Sequence, residues 1–197
     1  MFKAQSKTEL FFVFIIFSSV FFVGGLAISY AIPIDSALYT LFENSLSEVF
    51  SSCKSFSIGM LSSSFCGELK YLLFILVGGF SSYRKLLFTA VCSLKGLLTG
   101  IYSACLMRSI KLDRISVQNE LFGCLIFVLL SVFVICALCF CCCKTYAFAK
   151  KQMYPIKIRS FLKRRDTYCF AVDFFAICGA VLIATALKYI TVYLMIS

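Results

Sequence analysis

The chain contains no histidine, and that absence removes most ways of building an enzyme. Without an imidazole there is no Ser-His-Asp or Cys-His arrangement to activate a nucleophile, and no HExxH helix to hold a catalytic zinc. An intramembrane acid dyad needs two facing carboxylates, and Asp173 stands alone within the long apolar blocks. No glycine-rich phosphate loop occurs. The expectation is a non-enzyme with no catalytic residue, no metal and no cofactor. Twelve cysteines do not reverse it, because a zinc site needs four ligands at recognised spacing and nothing here completes one. Most of the thiols fall inside apolar blocks, where they behave as small hydrophobes. Cys141, Cys142 and Cys143 form a run at the end of one block, read as compositional in preference to a lipidation site. Cys53 and Cys66 lie in the longest polar stretch, and a disulfide between them stays open.

Charge is scarce as well. Only 14% of residues are charged and 61% are hydrophobic, too little polar surface to wrap a water-soluble core of this size. The net charge of +10 would suggest nucleic acid in a soluble protein. Here Lys and Arg flank apolar blocks, where they set orientation in a bilayer instead, so no nucleic-acid partner is expected.

What the chain does have is long uncharged runs. Leu10 to Ile32 and Leu121 to Cys143 are each 23 residues without a charge, and about 20 helical residues cross a hydrocarbon core of ~30 Å. The apolar residues run on without the alternation of a membrane barrel. The fold class is therefore all-α, a polytopic integral membrane helix bundle forming a single domain. Five spans are expected, at about 10–32, 69–83, 86–107, 121–143 and 168–190. The first ends at Pro33; it could instead be a signal peptide cut after Ser29-Tyr30-Ala31, but its length favours an anchor. The block at 69–83 is short, so a re-entrant half-helix is the alternative there.

Threading all five blocks from an inner N-terminus puts twelve of the nineteen Lys and Arg residues inside, at Lys3, Lys7, Arg84, Lys85 and the basic cytoplasmic loop 144–167. The positive-inside rule then makes 33–68 an extracytoplasmic loop and the C-terminus external. Arg108, Lys111 and Arg114 are discordant, since they would face outward. Attraction to anionic lipid suffices to explain the basic loop.

Three features stand out. Gly96, Gly100 and Ala104 recur every four residues, so they line one helix face and favour close packing. Lys95 lies ten residues beyond Lys85, near mid-depth, too deep for snorkelling to explain and so a candidate buried charge. Asp173 sits only a turn inside its interface, and Lys188 can reach the outer headgroups. In the outer loop, Leu38, Phe42, Leu46 and Phe50 form one stripe of an amphipathic helix capped by Asp35 or Ser36. That stripe either packs on the bundle rim or serves as a docking face.

The run from Leu69 through Gly78-Gly79-Phe80-Ser81, followed by Lys95-Gly96-Leu97-Leu98-Thr99-Gly100, resembles the stage II sporulation protein M family. Gly24 and Gly25, the five spans and the sizeable loop after the first are also similar. Gln118-Asn119 lacks the preceding proline of that family. The resemblance implies a non-catalytic plasma-membrane scaffold that anchors peptidoglycan-degrading enzymes, stage II sporulation proteins P and D, during spore engulfment. The competing expectation is a permease-like subunit of a transporter, with Lys95 and the short second block lining a solute path.

Overall fold

The structure is a computed structural model that describes residues 7–34, 36–37, 39–44, 58–111, 120–152 and 159–196. Five long helices dominate it: α1 (Lys7–Ala31), α3 (Ile58–Gly78), α4 (Arg84–Lys111), α5 (Glu120–Gln152) and α6 (Arg159–Ile196). A short helix described at 37 and 39–44, α2, follows α1. No strand occurs among the described residues. Each long helix carries a stretch of at least 18 residues apolar enough to cross a membrane. The protein is thus an all-α, multi-pass membrane bundle.

Side chains at the two helix ends fix the threading. Phe14 meets Phe88, Arg84 and Lys85 lie over the Tyr146 ring, and Lys144 meets Asp173. Hence the start of α1, the turn between α3 and α4, and the α5–α6 junction share one end of the bundle. Five crossings alternate in direction, and α1 runs parallel to α4. By the positive-inside rule, the Lys and Arg concentrated at that end make it the expected inner side. Reporter fusions after Phe50 and at Ser197 are therefore both expected to read external. A cytoplasmic reading at Ser197 beside an external one at Phe50 would mean an even number of crossings.

Of the five spans, α4 is the most buried. α1 and α5, with mean hydropathies of 2.6 and 3.1, tolerate lipid, and Phe12, Ile16, Val20 and Val23 are exposed along α1. α4, at 1.4, carries Ser93, Lys95, Thr99 and Ser103, and over half of its span is buried. Polar side chains in a bilayer need protein partners, and α4 finds them at the centre; α3 is as low in hydropathy, at 1.3, but turns only one face inward, with 17% of its span buried. Against α4, α1 packs backbone to backbone. Gly96 faces the Ser18 carbonyl, Gly100 the Phe22 carbonyl, and Gly25 the Leu97 carbonyl. Ala104 continues the same seam, fully buried. Ser18 Oγ donates to the Cys92 carbonyl at 3.2 Å, and Ser29 Oγ lies 3.3 Å from Cys105 Sγ.

Three boundaries differ from the sequence reading. α3 starts at Ile58, eleven residues ahead of the apolar block, and its Leu61–Gly78 stretch is long enough to span without re-entry. Ser62, Ser63, Ser64, Cys66, Gly67 and Glu68 read as loop; in the helix Ser62 Oγ donates back to the Gly59 carbonyl at 2.7 Å, an internal satisfaction that membrane helices use. α5 and α6 in turn run well into the expected loop at 144–167. Phe148 stacks on Phe170 at 4.3 Å, and Lys144 Nζ donates to Asp173 Oδ2 at 2.7 Å, bracing the two extensions.

The discordant Arg108 has a structural task. Its guanidinium donates to the Ser29 carbonyl and, at 3.1 Å, to the Ile32 carbonyl, and it lies 4.7 Å from the Tyr39 ring centre. The last carbonyls of a helix lack intrahelical partners, so α4 caps α1 just before Pro33. α2 begins with Ser36 Oγ accepting from the Tyr39 N–H at 3.2 Å, the geometry of an N-cap. Cys141, Cys142 and Cys143 are buried in the core, which withholds them from lipidation chemistry.

Candidate functional site

The four helices α3, α4, α5 and α6 do not close completely in the half away from the α3–α4 turn. They leave a cavity of about 380 Å³, at the scale of small-molecule sites. Its lining follows one spacing on each helix. α3 contributes Ser64, Gly67, Glu68 and Tyr71; α4 contributes Lys95, Thr99 and Tyr102. α5 adds Phe127 and Ser131, and α6 adds Thr185, Lys188, Tyr189 and Val192. Intervals of three, four and seven residues put each set on a single helix face, so four polar stripes converge.

Three charged groups meet there. Lys95 Nζ donates to Glu68 Oε1 at 2.7 Å, and each side chain is only 14% exposed. Lys95 also lies 4.8 Å from the Tyr71 ring centre. Lys188 Nζ lies 5.8 Å from the Phe127 ring centre, a cation–π contact, and no carboxylate lies within ion-pair distance of it among the described residues. The second carboxylate oxygen, Glu68 Oε2, is buried without a hydrogen-bond partner. Ser64 and the Tyr189 hydroxyl are hydrogen-bonded to each other.

The hydroxyls sort into two kinds. Thr99 Oγ1 donates to the Lys95 carbonyl, Ser131 Oγ to the Phe127 carbonyl and Thr185 Oγ1 to the Val181 carbonyl, each at 2.8 Å. Their protons are committed, so they offer the cavity only lone pairs. Donors come from the two ammonium groups and the Tyr71 and Tyr102 hydroxyls.

Lys95 thus sits at about 16 Å from the start of α4, facing Glu68 and the cavity. Two of its companions carried no signal in isolation. Glu68 read as an outer-loop acid, because the helix around it looked like loop. Lys188 read as snorkelling outward, and the structure corrects that: it shares a face with Thr185 and Val192 and points among helices. The usable signal was the polar i, i+3, i+4 and i+7 pattern within otherwise apolar segments. Gly96, Gly100 and Ala104 lie on the α1 side of α4 and take no part in the cavity.

The outer stripe is placed only at Phe42, since Leu38, Leu46 and Phe50 lie outside the described residues. Phe42 packs edge-on against Tyr102 at 5.4 Å, beside fully buried Tyr39, which anchors α2 on the bundle. Cys66 is a free thiol on α3, and Cys53 lies outside the described residues. No group of three or more Cys, Asp or Glu side chains suited to a metal ion occurs among the described residues. No family model matches the chain, and neither a curated protein nor a solved structure matches it.

Proposed function

We propose that this protein is a non-catalytic, solute-binding membrane protein of the permease type, acting in the cell membrane and holding a small polar solute between α3, α4, α5 and α6. The observation that carries the reading is the charged cavity. A Glu, two Lys and a ring of hydroxyls inside a bilayer carry a large desolvation cost, and a purely structural bundle would fill the same space with Leu and Val. Charged groups in membrane helices ordinarily mark substrate paths. The carboxylates support a binding role over a catalytic one, since Glu68 pairs with Lys95 and Asp173 pairs with Lys144. In this reading the basic segment joining α5 and α6 meets anionic lipid or a cytoplasmic partner subunit.

The scaffold for peptidoglycan-degrading enzymes, implied by the sporulation-family resemblance, asks the outer stripe to be free for a partner. Phe42, the stripe residue that is described, is instead turned onto Tyr102, and that contact supports the solute reading.

Purified protein in liposomes, exposed to a labelled extract of small polar metabolites, tests the proposal. Wild type is expected to retain at least one solute that Ser131→Trp, which fills the cavity, does not. Identical retention by the two proteins overturns the reading.

A further inference from the structure

The three charges in the cavity do not balance. Lys95 and Glu68 neutralise each other, and Lys188 leaves one positive charge without a carboxylate of its own in a cavity set among membrane helices. Holding a lone ammonium in such a place is costly, because the hydration it has lost is not replaced. The cation–π contact with Phe127 offsets only a minor part of that cost. Glu68 is the acid that lines the cavity, and Lys95 already holds it.

At the same time the cavity has surplus acceptors. Glu68 Oε2 is buried without a donor. Thr99, Ser131 and Thr185 have spent their protons on their own helices. A simple inorganic anion would satisfy Lys188 and leave these acceptors unanswered. An uncharged polyol would answer the acceptors and leave the ammonium unpaired. Each buried polar group left without a partner weakens binding, so the complementary ligand must carry both functions.

Resting on the solute-binding reading, we infer that the cavity takes a small organic anion bearing hydroxyl groups, its carboxylate or phosphate on Lys188 and its hydroxyls on Glu68 and the three helix-committed hydroxyl oxygens. The Glu68–Lys95 pair stays intact, and a small turn of the Glu68 carboxylate, whose Oε2 is enclosed in this structure, brings that oxygen onto a ligand hydroxyl. The volume of about 380 Å³ exceeds what a lone ion needs and admits a sugar acid.

The test is calorimetric titration of the full-length protein in neutral phosphatidylcholine nanodiscs with four probes. Gluconate and glycerol 3-phosphate carry both functions, as carboxylate and phosphate; hexanoate has the charge without hydroxyls, and sorbitol the hydroxyls without charge. One or both of the first two are expected to bind, with hexanoate and sorbitol at least tenfold weaker. Which of the two binds more tightly identifies the anionic group. Lys188→Met should weaken that binding by about 30-fold or more, while Lys188→Arg retains a substantial part of it. Sorbitol binding as well as gluconate, Lys188→Met leaving affinity unchanged, or none of the four binding each overturns the inference. Retention in liposomes of an uncharged or cationic solute that Ser131→Trp abolishes would leave the solute reading standing and remove only its anionic chemistry.

Discussion

Gly25→Ala and Gly100→Ala are expected to destabilise the bundle severely, while Gly24→Ala, one position away from Gly25, is expected to be neutral or stabilising. A Cβ on Gly25 would run into the Leu97 carbonyl and lie 3.0 Å from the Ile101 nitrogen. On Gly100 it would strike the Phe22 carbonyl and lie 3.1 Å from the Leu26 nitrogen. These obstacles are backbone atoms, which cannot rotate away as a side chain can. Relief requires α1 and α4 to separate along their length, which also pulls apart Phe14 and Phe88 and the Ser18 and Ser29 contacts. Overpacking ordinarily costs ~1–3 kcal/mol, and a backbone-to-backbone clash belongs at the upper end. The intrinsic helix preference for Ala over Gly, about 1 kcal/mol, offsets only part of it. A methyl group added at Gly24 would meet nothing within 4 Å, so there the preference acts alone. Unfolding in mixed micelles against SDS, at matched expression, reads all three variants. Equal midpoints for Gly24→Ala and Gly100→Ala would show that the α1–α4 seam is loose.

Much of the architecture was legible because the bilayer imposes a length rule that runs of uncharged residues reveal directly. Leu10–Ile32 and Leu121–Cys143 needed no other information. The rule weakens where a helix carries polar residues on a protein-facing stripe. α3 lost its first turns to the loop in this way, since Ser64, Gly67 and Glu68 lower its hydropathy while facing α4 and α6. The close-packing glycines could be seen at their four-residue interval, but not which helix they meet. Pairings across the bundle, Glu68 with Lys95 and Asp173 with Lys144, depend on helix rotation, which a single chain's hydropathy does not encode. Arg108 shows the same limit: its charge reads as a violation of topology until the open carbonyls at the end of α1 lie beside it. For Lys188, proximity to the span end suggested headgroups, and only its stripe with Thr185 and Val192 distinguishes inward from outward.

Glu68→Ala and Lys95→Ala are each expected to cost the protein ~3–5 kcal/mol, the range for stripping one partner from a buried ion pair. Both side chains are 14% exposed, so the survivor would keep its charge with most of its hydration lost. Lys95 would keep only the Tyr71 ring at 4.8 Å. Glu68 would hold a charge whose Oε2 already lacks a donor, so Lys95→Ala should be at least as harmful as its counterpart. Replacing both with Met removes the desolvation cost along with the attraction. Buried pairs exchanged for apolar residues of similar volume are commonly neutral or more stable, so Glu68→Met/Lys95→Met should unfold within ~1 kcal/mol of wild type or later. The double variant is then the informative one for function. It keeps the bundle and the Lys188 cation but abolishes the acceptor that reads a solute, so it should insert normally and fail to retain solute in liposomes. Single variants as stable as wild type would mean that water already reaches the pair. A double variant as unstable as the sum of the singles would show that the two charges do not stabilise each other. A stable double variant that still retains solute would take Glu68 and Lys95 out of recognition and leave the binding to Lys188 and the hydroxyls.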